Sequence, residues 1–182
     1  MERVVGRHDQ CFIRRMSAFP DVRWGSESSR IRKPLIAFAG TPLGSWLIKQ
    51  MVPVDRWLIR HSNSRLTMLG PSGAPLLLLT TTGTKSGLPR TTPLVYARDG
   101  DDLVVVGSNY GAEQHPAWSS NLLAHPEAVV TIGGTAVPAR ATLLAGAEAD
   151  AAFEKVAEMI KTYRVYRRRT DRTFRIFRLS AT

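Results

Sequence analysis

Cysteine is nearly absent from this sequence. Cys11 is the single cysteine among 182 residues, which excludes an internal disulfide and a metal site built from several thiolates. It lies near the N-terminus outside any Cys/His cluster, so we interpret it as a packing or surface thiol rather than a nucleophile. His61 and His125 also lack the spacing of metal ligands. We therefore predict no metal site.

Acidic residues are also few. The 15 Asp and Glu are outnumbered by 25 Lys and Arg, which gives a formal net charge of +10. The excess is confined to the ends: residues 1–70 hold 12 basic against 5 acidic side chains and residues 161–182 hold 8 against 1, whereas residues 71–160 hold 5 against 9. We therefore expect no nucleic-acid partner, since such a surface needs a basic patch along the body. Arg167, Arg168 and Arg169 would either bind an anion, such as a phosphate, a polycarboxylate tail or an acidic lipid surface, or form the solvated end of a helix.

Long apolar runs are missing as well. The uncharged stretch between Lys33 and Lys49 has 15 residues, fewer than the roughly 20 that span a bilayer, and glycine and proline interrupt it. The first 33 residues lack the apolar segment and cleavage site of a signal peptide. We therefore expect a cytoplasmic protein, and the basic ends are compatible with peripheral association at the inner face of the membrane.

We divide the chain into an irregular extension at 1–33 and one domain at 34–182. The extension mixes Arg, Ser and Gly without an apolar period, which indicates loose packing. From Pro42 to His61 apolar residues recur at steps of three and four, the pattern of an amphipathic helix that Pro53 divides or bends. We expect Trp46 in the core, although a stripe that stays exposed would face a membrane or a second copy of the chain. Both a monomer and a homodimer are compatible with this pattern.

From residue 76 onward the pattern is dominated by strands. Short β-branched and apolar runs separated by turn residues predict six strands, at Leu76–Thr82, Thr91–Arg98, Leu103–Ser108, Val129–Ile132, Ala136–Leu144 and Phe174–Leu179. Helices are predicted from Pro116 to Leu123 and over 147–164. Hairpin turns join the strands, so the sheet is antiparallel and a doubly wound α/β fold is disfavoured. The fold class is α+β, mainly β: a small barrel with helices packed outside.

The turn Gly83-Thr84-Lys85-Ser86-Gly87 is rich in hydroxyls and backbone freedom. Two glycines let the chain approach a ligand, and Lys85 and Ser86 are suited to hold an anion. Its spacing is not that of a Walker loop. A plain hairpin turn is the competing interpretation, but the threonines before the turn and the cation Arg90 after it favour a binding site.

Two further segments complete the set of candidates. A strand end, a loop and a helix start run from Ser108 to Asn121, and together they present backbone N–H groups. Tyr163 and Tyr166 share a helix face and offer apolar walls with hydroxyl donors. The pair Asp171 and Arg172 is expected to fix the turn before the last strand by capping and a salt bridge.

These three segments together resemble a known family. The text LLLTTTGTKSGLPRTTPLVYARDGDDLVVVGSNYGAEQHPAWSSNLLAHPE, followed by YRVYRRRTDRTFRIFRL, is similar to the deazaflavin (coenzyme F420)-dependent nitroreductase family over about residues 65 to 182. The resemblance implies a split β-barrel related to flavin-reductase and FMN-binding folds. It also implies coenzyme F420, an 8-hydroxy-5-deazaflavin, as cofactor, and hydride transfer to a small apolar acceptor such as a quinone, a nitroaromatic or an activated C=C bond.

The resemblance also implies site residues. Tyr163 and Tyr166 would be catalytic, with Tyr163 closing over the cofactor and Tyr166 bordering the substrate. The cofactor-binding residues would be Thr84, Lys85, Ser86, Arg90, Thr91, Thr92, Pro93, Leu94, Val95, Val106, Gly107, Ser108, Asn109, Ala117, Trp118, Ser119, Ser120, Asn121 and Tyr163. Thr84 and Asn109 stand where the family often has basic residues, and Arg90 or Arg167–Arg169 would replace those cations.

Two alternatives remain open from the sequence. An enzyme on the same barrel would use flavin mononucleotide instead of the deazaflavin. A non-catalytic module would bind a cofactor or dock on a membrane through the basic ends.

Overall fold

The computed structural model describes residues 18–21 and 75–182, and between them residues 38, 41, 43, 44, 46–48, 50, 51, 54 and 58. Within the described residues, six strands occur in chain order, β1 (Leu76–Thr82), β2 (Pro89–Asp99), β3 (Asp102–Gly107), β4 (Glu127–Ile132), β5 (Thr135–Leu143) and β6 (Arg175–Ala181). All neighbours are antiparallel, and the order β1-β2-β3-β6-β5-β4 closes into a barrel because β4 pairs back onto β1. The predicted fold class is confirmed, with strand ends shifted by one to two residues in most cases.

Alternation along the strands separates two hydrophobic cores. In β3, Leu103 and Val105 belong to the core cluster inside the barrel, whereas Val104 and Val106 belong to a second cluster outside it. Both kinds of position are buried, so β3 is covered on both faces. The burial of each such side chain stabilises the fold by about 1.5–3 kcal/mol.

The outer core lies beneath helices. Within residues 75–182 the structure has a 3-10 turn at Asn109–Gly111 and three α-helices, α1 (Ala117–Ala124), α2 (Gly146–Met159) and α3 (Thr162–Arg167). The prediction of one helix over 147–164 is wrong, because Ile160 adopts an extended conformation with φ −134° and ψ 91° and ends α2. An uninterrupted helix would bring Arg164 and Arg167 onto the face that buries Phe153 and Val156. The break buries Tyr166 instead.

Part of the expected N-terminal extension packs on the barrel. Phe19 is 1% exposed and belongs to the barrel core. The Arg98 guanidinium donates to the carbonyl oxygens of Phe19 at 3.0 Å and Pro20 at 2.7 Å. Loose packing is therefore wrong for Phe19 and Pro20, while residues 1–17 and 22–33 lie outside the described residues. The boundary at residue 33 stays a prediction.

Described residues between 38 and 58 are mostly helical, as predicted for this region. The expectation that Trp46 is a core anchor is wrong, since 56% of its surface is exposed, and Leu43 is 61% exposed. The bend expected at Pro53 lies outside the described residues. Among the residues that are described, no helix is long and apolar enough to cross a membrane.

Candidate cofactor site

The barrel is closed, but the pairing between β2 and β3 is incomplete. These strands pair only from Tyr96↔Val105 to Asp99↔Asp102, whereas the first half of β2 pairs with β1 alone. Within the described part of the chain, the stretch Arg90–Val95 therefore has one edge without a strand partner. Its residues Thr91–Val95 are half-buried. An unpaired strand edge presents backbone N–H and C=O groups, so this edge is suited to hold a planar, hydrogen-bonding ring.

The β1–β2 turn places cations at one end of this edge. Thr84, Lys85 and Ser86 are exposed. The Ser86 Oγ accepts hydrogen bonds from the Leu88 N–H at 3.3 Å and from Arg90 Nη2 at 3.4 Å. Neither Lys85 nor Arg90 forms an ion pair with any described carboxylate. Two cations without a carboxylate partner, next to exposed hydroxyl-bearing residues, favour an anionic group.

Asn121 connects this turn to α1. Its Oδ1 accepts from the Thr84 N–H at 3.2 Å, and its Nδ2 donates to Thr81 Oγ1 at 3.0 Å. Asn121 is 5% exposed. The structure therefore brings two of the predicted segments together, and it gives the Asn121 side chain a positioning role rather than an exposed contact.

Other side chains of α1 are turned inward as well. Trp118 is buried in the barrel core with its ring 5.8 Å from that of Phe177, and the fully buried Ser119 donates to the Pro116 carbonyl oxygen at 2.8 Å. Ala117 and Ser120 are exposed, and Ser120 Oγ accepts from Arg175 Nη1 at 3.0 Å. Of the predicted α1 residues, these two remain accessible for side-chain contact.

The loop after β3 has an uncommon backbone. Asn109 and Tyr110 have φ of 45° and 59°, the left-handed region, and Gly111 follows at 77°. Non-glycine residues there cost on the order of 1–3 kcal/mol and cluster at functional sites. The Asn109 amide donates to the Gln114 carbonyl oxygen at 2.8 Å, which closes the loop on itself. The predicted residues Val106, Gly107 and Ser108 are buried, so they would reach a ligand through the backbone.

Three tyrosines pack beside this loop. The Tyr166 ring makes edge-on contacts with Tyr110 at 5.8 Å and with Tyr163 at 6.0 Å between centroids. Burial, followed by the neighbouring Tyr166 and Tyr110, raises the pKa of Tyr163 well above its ordinary value, against a smaller opposing effect of a hydrogen bond with Ser108. Tyr163 is therefore a neutral phenol at physiological pH and a hydrogen-bond donor. Sequence reasoning missed Tyr110, whose position depends on a left-handed backbone that its residue type does not signal.

The predicted salt bridge between Asp171 and Arg172 is wrong. The described contacts of Arg172 include His115 Nδ1 at 2.8 Å and no carboxylate. The side-chain bond in this turn comes from Thr170 instead of Asp171, since the Arg172 N–H donates to Thr170 Oγ1 at 3.2 Å. Burial lowers the pKa of His115, and the nearby Arg175 and Arg172 lower it further.

Of the arginine cluster, two members already have partners. Arg167 pairs with Asp150 at 3.0 Å and lies 4.6 Å from the Phe153 ring centroid, while Arg169 lies 5.5 Å from that of Tyr166. Arg167 therefore matches the interpretation of a charged helix end.

This arrangement defines a class of protein. The barrel is closed and antiparallel, but the first half of β2 lacks a partner on one edge and begins at a cationic turn. No metal-ligand cluster occurs in the described part of the chain. A solved structure described as an F420-H2 dependent reductase (FDR-A) shares the fold, with TM-score 0.54, 33% identity, and coverage of 58% of this chain and 94% of that one. The chain is thus a split-barrel protein of the reductase class.

The family follows from the sequence model that matches. The model described as F420H(2)-dependent quinone reductase matches residues 54–180, and the chain belongs to that family. A second solved structure, described as a domain-swapped dimer, has TM-score 0.55 and 29% identity, covering 77% of this chain and all of that one. An F420H(2)-dependent quinone reductase of Mycobacterium tuberculosis is 39% identical over 95 residues, 44% of this chain and 64% of that protein. The chain thus spans less than two thirds of that relative's length. The family resemblance predicted from sequence is confirmed.

Proposed function

We propose that this protein is a coenzyme F420-dependent oxidoreductase that reduces a quinone. The observation that carries the proposal is the open edge of β2 at Arg90–Val95, which begins at the cationic turn and lies inside the region matched by the family model. The pairing of β2 with β3 stops short of the end of β3, and Ser108, the residue that follows β3, forms a hydrogen bond with Tyr163. This region falls within the proposed domain 34–182. When bound, the reduced deazaflavin supplies two electrons as a hydride.

The residues present suit this cofactor. Lys85 and Arg90, with the hydroxyls of Thr84 and Ser86, would hold its phosphate and acidic tail. The β2 edge and the buried backbone of Val106–Ser108 would hold the ring, and Ala117 and Ser120 would face the tail. Thr84 stands where the family often has a basic residue, and Arg90 is the cation that would replace that charge, because Arg167 forms an ion pair with Asp150.

The tyrosines would carry the chemistry that the chain itself supplies. Tyr163 is half-buried and neutral, so its hydroxyl would donate a hydrogen bond or a proton to the acceptor oxygen. Tyr166 is buried against it and would form an apolar wall suited to a flat quinone; a nitroaromatic or an activated C=C bond has a similar shape.

Titration of the purified protein tests the cofactor. We expect coenzyme F420 to bind more tightly than flavin mononucleotide, as measured by fluorescence quenching. Lys85→Gln should weaken F420 binding by about tenfold, the effect of one charge-assisted contact of about 1.4 kcal/mol. Arg140→Gln removes an exposed charge from β5 and is the matched control. Tighter binding of flavin mononucleotide than of coenzyme F420 would instead favour an enzyme that uses flavin mononucleotide on the same barrel.

Turnover tests the reaction. Reduced F420 mixed with the protein and a soluble quinone should reoxidise at a rate that depends on enzyme and quinone concentration. F420 binding without turnover of any quinone, nitroaromatic or enone would contradict the enzyme and favour the cofactor-binding module.

We also propose peripheral association with the inner face of the membrane. Exposed apolar side chains accumulate among the described helical residues 38–54, including Phe38, Leu43, Trp46 and Val54, and the first 70 residues are basic. Sedimentation with anionic vesicles should retain the protein, and Trp46→Ser should weaken the retention. No retention, or equal retention by neutral vesicles, would contradict the proposed membrane association.

The oligomeric state is a separate question. Light scattering would distinguish a monomer from a homodimer.

A further inference from the structure

Arg172 lies in the turn between α3 and β6, and its guanidinium holds one loop at several points. Nε donates to the Ala112 carbonyl oxygen at 3.2 Å, and Nη2 donates to those of Ser108 at 3.0 Å and Ala112 at 3.1 Å. Nη1 donates to the Gly107 carbonyl oxygen at 3.3 Å and to His115 Nδ1 at 2.8 Å. One side chain thus joins the end of β3, the middle of the loop and His115, two residues before α1.

This cation has no carboxylate partner in the described part of the chain. Its charge is balanced by carbonyl dipoles, the imidazole lone pair and the face of Phe174, whose ring centroid is 5.0 Å from Cζ. A half-buried arginine used in this way serves the backbone geometry rather than an ion pair.

The loop that Arg172 holds is the strained one. Asn109 and Tyr110 are left-handed between the two anchored carbonyls of Ser108 and Ala112. The Ser108 carbonyl also accepts from the Gly111 N–H at 2.9 Å, which closes the left-handed turn. Through this turn Tyr110 reaches the edge of Tyr166, and Tyr166 in turn contacts Tyr163.

We propose that Arg172 is a positioning residue for the tyrosines of the proposed reaction. It fixes the loop Gly107–His115 so that Tyr110 supports Tyr166 and Tyr163, and it binds His115 at Nδ1 so that the ring carries its proton at Nε2. The proposal rests on the proposed function for its catalytic consequence. The loop geometry is independent of it.

A lysine cannot replace this arginine. An ammonium is a single point donor on a flexible stem, whereas the planar guanidinium spans three carbonyls and an imidazole at once. Arg172→Lys therefore keeps the positive charge and loses the simultaneous contacts with the three carbonyl oxygens and the imidazole. Arg140→Lys on β5 is the matched control, because that arginine is exposed and pairs with Glu127 alone among the described contacts.

The experiment measures three quantities on both variants. We expect Arg172→Lys to lower kcat with reduced F420 and a soluble quinone by at least about tenfold, as misplacement of a catalytic group does. The Kd for F420 should rise by a smaller factor, because the β1–β2 turn is intact and only the backbone near Gly107 and Ser108 loses its anchor. The near-UV circular dichroism of the tyrosines should change. The 15N chemical shifts of the His115 imidazole should change from those of the Nε2–H tautomer to those of a mixture of tautomers. The His115→Asn variant assigns these signals.

Each outcome decides. Unchanged kcat with an unchanged His115 spectrum would overturn the proposal, as would equal effects of Arg140→Lys. If the wild-type protein turns over no acceptor, the proposed function fails, and the tyrosine and His115 spectra still decide the positioning role. Should Arg172→Lys not fold, His115→Leu is the second variant, because it keeps the arginine and removes one acceptor. A smaller decrease in kcat with a smaller change in the near-UV circular dichroism supports the proposal, and an unchanged near-UV spectrum contradicts it.

Discussion

Thr84 and Asn121 lie 37 positions apart in the sequence, and the N–H of Thr84 donates to the Oδ1 of Asn121 at 3.2 Å. The same amide donates to Thr81 Oγ1, so Asn121 holds both the end of β1 and the turn that follows it. The cationic turn is consequently placed by α1 rather than by its own hairpin alone.

Asn121→Ala should therefore destabilise the fold and loosen the turn. We expect a loss of about 1–3 kcal/mol in the free energy of unfolding, because the buried Thr81 hydroxyl loses its donor and the Thr84 N–H loses its acceptor. F420 binding should weaken as well. Urea unfolding and fluorescence titration measure the two effects. Ser120→Ala, an exposed neighbour in the same helix, is the control for the unfolding measurement only, because Ser120 itself would face the cofactor tail. Equal stability losses in both variants would contradict this role.

The tyrosines should separate binding from turnover. Tyr163→Phe removes the hydroxyl and keeps the ring, so we expect F420 affinity within about threefold of wild type and kcat lower by about 10²-fold, the usual contribution of a positioned proton donor. Tyr166→Phe should cost less, since its ring packing is retained. Single-turnover kinetics give the rates. A larger effect of Tyr166→Phe than of Tyr163→Phe would contradict the assignment of the donor.

The direction of the Tyr163 pKa predicts the alkaline side of the pH profile. Burial and the neighbouring tyrosines raise that pKa above the ordinary value, so the phenol stays protonated beyond about pH 10, where a free tyrosine ionises. We expect no loss of kcat from this group up to that pH, within the range in which the protein stays folded. A kcat that falls between pH 8 and 9 in wild type and not in Tyr163→Phe would contradict the prediction.

The barrel was predictable from sequence because its signals are local. The strands, and hairpin turns such as Gly100-Asp101 between β2 and β3, follow from local residue type. The turn that carries Lys85 can likewise be predicted from its glycines and polar residues. The end of α2 at Ile160 was not, because it depends on which helix face the barrel covers. Arg172 was assigned to its sequence neighbour Asp171, whereas its carbonyl partners lie about 60 residues away in the chain.

An acid-sensitive ion-pair network joins α2 to the barrel. Asp99 at the end of β2 contacts Lys155 of α2 and Arg178 of β6, the latter at 3.0 Å, and Arg178 also contacts Glu148 at 2.6 Å and Asp102 at 3.8 Å. Hydrogen bonds from Lys155 and then Arg178 lower the pKa of Asp99, with burial opposing them.

Because the folded-state pKa is lowered, this stabilisation is complete above the ordinary Asp pKa, near 4, and is lost as the pH falls through the folded-state value. Asp99→Asn should therefore lower stability at neutral pH and reduce the difference in stability between pH 6 and pH 3. Urea midpoints at several pH values measure this. Asp171→Asn changes an exposed carboxyl outside this network and is the control; the same flattening there would contradict the assignment.

Gly111 tests whether the loop after β3 and α3 fit together as closely as the site requires. A Cβ at this position would lie 2.7 Å from the Tyr166 carbonyl oxygen and 2.9 Å from Arg169 Cβ, at φ +77°. Gly134 has a similar φ of +87° and nothing within 4 Å of such a Cβ. Gly134→Ala should therefore show only the backbone cost of about 1–2 kcal/mol.

Gly111→Ala should cost more than Gly134→Ala in the free energy of unfolding and should also lower kcat, because the clash displaces α3 and with it Tyr166. Thermal unfolding and turnover of both variants measure the difference. Since the left-handed strain is matched, the excess belongs to the contact between the loop and α3. Equal destabilisation with unchanged turnover would show that the tyrosines do not depend on this contact.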